Sequence, residues 1–97
     1  MAEVTWTQQA SNDLEAIANF VGLDSVHYAS LFVVDIFDAV ERLEVSPNSG
    51  RMVPETDHPS IREIILGNYR IIYRAQYATV EILTIYHSAR LLKPDLI

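Results

Sequence analysis

The chain has 97 residues, of which 49% are hydrophobic and 21% charged, and its formal net charge is −6. This composition excludes a disordered chain, and the length suits one domain, which we expect to span residues 1–97. Because the chain has no cysteine and no run of roughly 20 apolar residues, disulfides, thiolate metal sites and membrane helices are excluded, and we expect a cytoplasmic protein.

The first elements predicted along the chain are a short strand and a helix. Val4 and Trp6 alternate with polar residues, which indicates a strand over residues 3–6. Thr7 suits the N-cap of a helix over about residues 8–21, where Ala10, Leu14, Ile17, Ala18 and Val21 recur at helical spacing. Gly22 supplies a stop.

A second helix follows after a short connection. Asp24 or Ser25 can cap it, and the breakers of residues 46–50 end it. Its apolar positions follow the spacing of one helix face: Ala29, Phe32, Val33, Ile36, Phe37, Val40 and Leu43. The short connection implies an antiparallel hairpin of helices.

The second half of the chain has the period of strands. The runs 61–66, 69–74 and 80–86 are rich in β-branched and aromatic residues, and Gly67-Asn68 between the first two indicates a tight hairpin. In the middle run Arg70, Ile72 and Arg74 share one face. The other face carries Tyr69, Ile71 and Tyr73, and we expect one of the two faces to pack against the helices.

These elements predict an α+β domain of order β-α-α-β-β-β. The antiparallel helix hairpin packs on one face of a twisted, mainly antiparallel sheet, and the other face stays partly open. We expect exposed apolar surface on this open face and in the C-terminal residues Leu91, Leu92, Leu96 and Ile97.

Acidic and basic residues are distributed unevenly along the chain. Residues 1–50 hold one base, Arg42, against eight acids, whereas residues 51–97 hold six bases against five acids. Five of those six bases are arginines, whose fork geometry suits recognition of carboxylate or phosphate, although they also suit solvated strand positions.

Several motifs in this order resemble a known family. They are the capped segment 7–17 with Ala10, Asp13-Leu14 and Ile17, the segment Ser46-Pro47-Asn48-Ser49-Gly50-Arg51-Met52-Val53-Pro54-Glu55, then Ile61-Arg62-Glu63, Gly67-Asn68-Tyr69-Arg70-Ile71-Ile72-Tyr73-Arg74, and Ile85-Tyr86-His87-Ser88-Ala89-Arg90. Together these segments are similar to ParE-type toxins of the ParE/RelE superfamily of type II toxin–antitoxin systems.

The resemblance implies the fold described above and a tight complex with an antitoxin whose C-terminal segment wraps the toxin. It also implies growth arrest or plasmid stabilisation through binding of DNA gyrase, with no cofactor. Toxins of this kind are often basic, whereas this chain is acidic and has Lys93 as its one lysine. We therefore expect no strong direct binding of nucleic acid.

A ribosome-dependent messenger RNA endonuclease of the RelE kind is an alternative function. RNA cleavage through the 2′-hydroxyl needs a base, an acid and cations. Glu63 or His87 would serve as base, Tyr86 or His87 as acid, and three arginines as cationic clamps: Arg62, Arg70 and Arg90.

Each of these residues also has a structural interpretation. His87 can form a hydrogen bond at the sheet edge, and Tyr86 can fill the core or a groove. Glu63 can form an ion pair with Arg62. His27 and His58 stand in unrelated contexts, so we expect no metal site.

Under the gyrase hypothesis we expect no catalytic residue and two binding surfaces. Arg51, in a loop, either binds the target or caps the carbonyls that end the second helix. The other expected target contacts are Tyr86, His87, Arg90, Leu91 and Leu92, and the expected antitoxin contacts are Arg70, Arg74, Leu96 and Ile97. A third hypothesis is a non-toxic relative that only binds an antitoxin.

Overall fold

The computed structural model describes residues 1–89 of the chain. The predictions for Arg90, Leu91, Leu92, Leu96 and Ile97 lie outside the described residues.

Two helices form a hairpin, as the sequence predicts. Helix α1 spans Gln8–Gly22 and α2 spans Val26–Val45. Thr7 caps α1 because its hydroxyl accepts a hydrogen bond from the Ala10 N–H at 3.0 Å, and Ser25 caps α2 by accepting from the Tyr28 N–H at 3.1 Å. These contacts satisfy backbone donors that the first helical turn leaves unpaired.

Five strands form one sheet. They are β1 (Glu3–Trp6), β2 (Arg51–Met52), β3 (Ile61–Leu66), β4 (Tyr69–Gln76) and β5 (Thr79–His87). The order across the sheet is β1-β5-β4-β3-β2, with β1 parallel to β5 and the other pairs antiparallel. The sequence predicts four of these strands. It misses β2, because two residues are too few to show a period.

Two turns join the long strands of the meander. Gly67, between β3 and β4, has a φ of +57°, a conformation that glycine adopts without steric cost. Tyr77, between β4 and β5, has a φ of +55° and a fully exposed side chain. A bulky residue in this left-handed region is strained, because its Cβ crowds the backbone.

The helices cover one face of the sheet and form the main core. Ile36, Ala39, Val40 and Leu43 of α2 and Ala10 of α1 pack against Ile71, Tyr73, Val80, Ile82 and Ile85 of β4 and β5. The ring of Trp6 meets that of Phe37 with centroids 5.5 Å apart. The predicted tyrosine face of β4 is therefore the face that the helices cover.

The opposite sheet face is more closed than the sequence suggests. Val53, Ile61, Ile72 and Leu83 form a second buried cluster there, against which Tyr86 packs. The segment between β2 and β3 supplies Val53. Ile65 of the same face is 47% exposed, so the face is partly open as expected. The four clustered side chains are buried because a connection without helical or strand periodicity folds over them.

Gly50 follows helix α2 and lies where the backbone passes close to strands β3 and β4. A Cβ there would lie 2.6 Å from the Glu63 carbonyl oxygen and 2.6 Å from the Tyr73 hydroxyl, so only glycine fits. The Gly50 N–H donates to that hydroxyl at 2.9 Å. Burial raises the pKa of Tyr73, and the contacts with Gly50 and Arg62 oppose this shift.

No helix within residues 1–89 combines the length and the apolar character required to cross a membrane.

Candidate functional site: an arginine–glutamate cluster and a cleft beside strand β5

A buried carboxylate stands between two arginines on the sheet face that the helices leave uncovered. The side chain of Glu63, on β3, is fully buried. Its Oε2 accepts from Arg51 Nε at 2.5 Å and its Oε1 accepts from Arg70 Nε at 2.5 Å. Pairing of β2 with β3 and of β3 with β4 brings these strands side by side. Glu63 thus compensates the charge of both arginines with one oxygen each.

A second carboxylate completes this cluster from the loop after β2. Glu55 accepts two hydrogen bonds from Arg70, at 2.6 Å and 2.8 Å, in a bidentate pair. These bonds with Glu55 raise the pKa of Arg70, burial opposes the shift, and Glu63 adds to it. The four residues Arg51, Glu55, Glu63 and Arg70, which we call the arginine–glutamate cluster, carry two positive and two negative charges.

Arg62 lies apart from this cluster, although it precedes Glu63 in sequence. Its Nη1 donates to the carbonyl oxygen of Gly50 at 2.8 Å and to that of Asn48 at 3.4 Å. Its Nε is buried without a hydrogen-bond partner among the described residues. Neighbouring residues of a strand point to opposite faces. Arg62 rather than Arg51 therefore reaches the carbonyls after α2, and Glu63 pairs with Arg51 and Arg70 rather than with Arg62.

Arg74 has a looser environment than Arg70. Its Nη1 lies 3.2 Å from Glu81 Oε1, and both side chains remain about one-third or more exposed to solvent. The two arginines that the sequence groups on one strand face thus differ, since Arg70 is only 6% exposed. A partner can approach Arg74 directly, whereas access to Arg70 requires Glu55 to move.

His87 and Tyr86 end strand β5 on different faces. The His87 ring meets the Tyr69 ring edge-on with centroids 5.2 Å apart, and Tyr69 packs against Phe32 of α2 at 5.1 Å. His87 Nδ1 accepts a hydrogen bond from the Ala89 N–H at 3.0 Å. Tyr86 packs against the buried cluster on the other face. His87 therefore lies on the helix side and Tyr86 on the side of Glu63.

A cleft of about 770 Å³ runs between α1 and the end of β5. Its lining combines apolar side chains of α1 with polar groups of the strand: Gln9, Asp13, Ala16, Ile17, Phe20, Tyr69, Thr84, Ile85, Tyr86, His87 and Ala89. Asp13 accepts hydrogen bonds from the Thr84 hydroxyl and from the Ile85 N–H, the latter at 3.3 Å. The Ile85 N–H lies beyond the four residues of β5 that pair with β1, and it donates to the Asp13 carboxylate instead.

The sequence misses two residues of these sites, Glu55 and Asp13. Glu55 follows Pro54 in the segment after α2, and Asp13 belongs to the first quoted motif. Both carboxylates stand within motifs that the sequence shows, but only the fold shows which groups they contact.

The ribonuclease candidates within residues 1–89 do not all share one space, although Tyr86 and His87 line the same cleft. Glu63 and Tyr86 lie on one side of the sheet, Arg62 and His87 on the other. A base and an acid that act on one phosphodiester must both lie within hydrogen-bond reach of it. Residues 1–89 contain no group of three or more His, Asp or Glu side chains placed to hold a metal ion.

Comparison of the sequence with protein families shows a match across nearly the whole chain. The family described as "ParE toxin of type II toxin-antitoxin system, parDE" matches residues 4–92. The protein named Toxin RelE2 of Caulobacter vibrioides is 34% identical over 92 residues, which cover 94% of this chain and 100% of that protein.

Solved structures match the fold. A chain of the chromosomal ParDE toxin–antitoxin system from P. aeruginosa superposes with a TM-score of 0.73 at 29% identity, covering 90% of this chain and 96% of that chain. A chain of the toxin–antitoxin complex RelBE2 from Mycobacterium tuberculosis superposes with a TM-score of 0.59 at 22% identity, covering 89% and 96%, which supports the fold alone.

Proposed function

Since this chain belongs to the ParE toxin family of type II toxin–antitoxin systems, we propose that it arrests growth by binding DNA gyrase and that a cognate antitoxin neutralises it. Under this proposal the protein is a poison without a catalytic step of its own. It stabilises the state of gyrase in which the DNA is cleaved, and such a module favours retention of a plasmid that carries it.

The observation that carries this proposal is the internal neutralisation of the arginine–glutamate cluster. Arg51 and Arg70 both contact Glu63, and Arg70 also contacts Glu55. Phosphate oxygens would have to compete with carboxylates that are already in place at 2.5 to 2.8 Å. Charge-assisted pairs of this kind are among the stronger hydrogen bonds in proteins. The acidic net charge of −6 adds to the repulsion of RNA, whereas a protein target tolerates it.

The separation of two of the acid–base candidates, Glu63 and His87, supports the same proposal. Proton transfer to and from one substrate needs groups that face a common space. His87, on the helix side, and Glu63, buried on the other side, do not share one.

Ribonuclease activity remains the second candidate, because one observation favours it. The cleft beside β5 is lined by Asp13, Tyr86 and His87, so a carboxylate, a phenol and an imidazole border one space. If this cleft acts on RNA, His87 and Asp13 would hold or move the proton rather than Glu63.

We place the target contacts at Arg51, Tyr86 and His87, together with Arg90, Leu91 and Leu92. The antitoxin contacts are placed at Arg74, at Leu96 and Ile97, and at Arg70 if the antitoxin supplies a carboxylate that replaces Glu55. The matching structure from P. aeruginosa belongs to a ParDE toxin–antitoxin system, which supports an antitoxin partner. Arg74 is the more accessible of the two arginines.

Two parallel assays test the target. Purified protein is added to a gyrase supercoiling reaction and to a translating extract in which messenger RNA ends are mapped. We expect trapped gyrase–DNA cleavage complexes and intact messages. Discrete cuts in ribosome-bound messages, with gyrase unaffected, would refute the gyrase proposal.

Variants separate binding from catalysis in the same assays. A catalytic His87 predicts a loss of roughly 10² to 10⁴ in cleavage rate for His87→Ala. Under the gyrase proposal His87→Ala acts only through binding, and the double variant Leu91→Ala, Leu92→Ala has the larger effect. Arg74→Ala serves as the control, since it should spare gyrase inhibition and weaken the antitoxin complex.

A further inference from the structure

Two tight turns of the sheet adopt a similar backbone conformation with different residues. Gly67 begins the two-residue turn between β3 and β4 with a φ of +57°, and Tyr77 begins the one between β4 and β5 with a φ of +55°. The second residues of these turns, Asn68 and Ala78, have no positive φ. Glycine is preferred at the first position of such a turn, because it lacks the Cβ that crowds the backbone. The β4–β5 turn thus holds a strained tyrosine at the position where the β3–β4 turn has glycine.

The ring of Tyr77 takes no part in the packing of residues 1–89, since its side chain is fully exposed. Other groups hold the turn. The Thr79 hydroxyl donates to the Gln76 carbonyl at 2.9 Å, and the Ala78 carbonyl accepts from the Glu3 N–H at 2.9 Å. No contact of the ring with the core therefore offsets the strain at Tyr77, and the ring projects from a turn that is tied to strand β1.

Strain and exposure together indicate that this side chain has a binding role. Residues held in sparsely populated backbone conformations cluster at functional sites, and a residue that breaks a local rule without a structural gain is expected there as well. Tyrosine is also one of the residue types that contribute most to protein interfaces, because its ring supplies a large contact area with only two torsions to fix.

A projecting ring suits a partner that is already folded. A segment that folds as it binds lays its own side chains into grooves of the folded protein, and the tip of a two-residue turn offers no groove. A folded enzyme contains preformed pockets with apolar walls. Of the two partners in the proposed function, the target DNA gyrase is such an enzyme, whereas the antitoxin contributes a segment that wraps the toxin.

We propose that Tyr77 is a contact for DNA gyrase and that its ring enters an apolar pocket of that enzyme. The inference rests on the proposed function and adds a contact to it. Tyr77 stands just before β5, whereas Tyr86 and His87 stand at the far end of this nine-residue strand, roughly 26 Å away at the usual rise of a strand. The contact is therefore separate from the cleft beside β5.

Two substitutions that suit the left-handed conformation test the contact. Tyr77→Gly and Tyr77→Asn remove the ring and keep the turn, since both residues adopt a positive φ more readily than tyrosine does. We expect each to raise the concentration for half-maximal trapping of gyrase–DNA cleavage complexes about tenfold or more, while the urea midpoint of Tyr77→Gly stays the same or rises. Retained inhibition by both variants would overturn the proposal.

Tyr28→Ala is the matched control. Tyr28 is the other strongly exposed tyrosine of residues 1–89, at 69%, and lies in α2, where alanine is favoured. This variant should change gyrase inhibition less than about twofold. An equal loss for Tyr28→Ala and the Tyr77 variants would show a general effect of exposed rings and would also overturn the proposal.

The remaining readouts separate this inference from the proposed function. A parent protein without effect on gyrase refutes the proposed target itself, whereas an active parent whose Tyr77 variants are equally active refutes the Tyr77 contact alone. Capture by the antitoxin encoded beside this chain should be the same for Tyr77→Gly and the parent. Loss of capture with full gyrase inhibition would assign the ring to the antitoxin, and self-association of the parent that Tyr77→Gly abolishes, with inhibition retained, would assign it to a second copy; both results contradict the proposal.

Discussion

Within residues 1–89, the acidic residues of the uncovered sheet face are paired with arginines, whereas those on the exposed surface of the helix hairpin are not. On the sheet, Glu63 is buried and each of its carboxylate oxygens accepts from an arginine, and Glu55 closes the cluster. On the helices, Glu15, Asp38 and Glu41 are exposed and form no ion pair among the described residues.

This difference separates groups that stabilise the fold from groups that are available to a partner. A buried charge must be paired inside the protein, because an unpaired one is strongly destabilising. An exposed charge contributes little to stability and is available for recognition. The sheet face is therefore a structural element whose charges are satisfied, and the hairpin is the surface whose charge and apolar area remain unmatched.

The largest expected effect comes from removing the central carboxylate of the cluster. Glu63→Ala leaves Arg70 buried with one partner fewer and should lower the free energy of unfolding by about 3 to 5 kcal/mol. Urea denaturation followed by Trp6 fluorescence measures this change. Glu41→Ala on the helix is the control and should change stability by less than about 0.5 kcal/mol. A similar loss for both variants would contradict the distinction between the two regions.

A smaller effect is expected where the two regions join. Gly50→Ala places a methyl group 2.6 Å from the Glu63 carbonyl oxygen and the Tyr73 hydroxyl, and should destabilise the protein by about 1 to 3 kcal/mol. Gly22→Ala in the hairpin is the comparison, because a Cβ there meets Ala29 Cβ at an ordinary 3.7 Å and alanine favours a helix. Thermal denaturation should show a lower midpoint for the first variant and an unchanged or higher one for the second. An unchanged midpoint for Gly50→Ala would mean that β3 and β4 can shift enough to accommodate the added methyl group.

A gain of stability is expected at the strained turn of the sheet. Tyr77→Gly relieves a left-handed conformation at a side chain that contacts nothing buried, and should stabilise the protein by about 0.5 to 1 kcal/mol. Ala78→Gly lacks this benefit, since Ala78 has no positive φ, and should be slightly destabilising. Both changes are read from urea denaturation midpoints. If Tyr77→Gly destabilises the chain, the tyrosine ring has a structural role.

The smallest effect is expected at the exposed pair of the sheet. Glu81→Gln removes the partner of Arg74 and should cost less than about 1 kcal/mol, since solvent-exposed ion pairs contribute little. Added salt should reduce the difference from the parent protein. A loss comparable with that of Glu63→Ala would place this pair among the structural contacts instead.

The sequence predicts the long elements of the fold because their patterns are local. Thr7 and Ser25 cap the helices, Gly67 turns the first hairpin, and Ile71 and Tyr73 share one face of β4. Each follows from spacing, capping or turn chemistry within a few residues. The strand β2 is too short to give such a signal.

The partners of the charged residues could not be predicted in the same way. Spacing places Arg70 and Arg74 two strand repeats apart on one face and suggests equal exposure, yet one is buried and the other about one-third exposed. The loop that carries Glu55 decides this difference, and its path has no periodicity to read. The roles proposed for Arg51, Tyr86, His87 and Arg74 in binding a target or an antitoxin remain predictions.

The sequence by itself determined the α+β class, the helix hairpin, the meander and the acidic character of the first half of the chain, since period and composition carry this information. Tertiary structure alone decided which carboxylate meets which arginine, why residue 50 must be glycine, and which helix face remains uncovered. These features depend on the meeting of segments that are far apart in the chain. Glu55 and Arg70 are 15 residues apart and Asp13 and Thr84 are 71 apart, and no local pattern encodes such a contact.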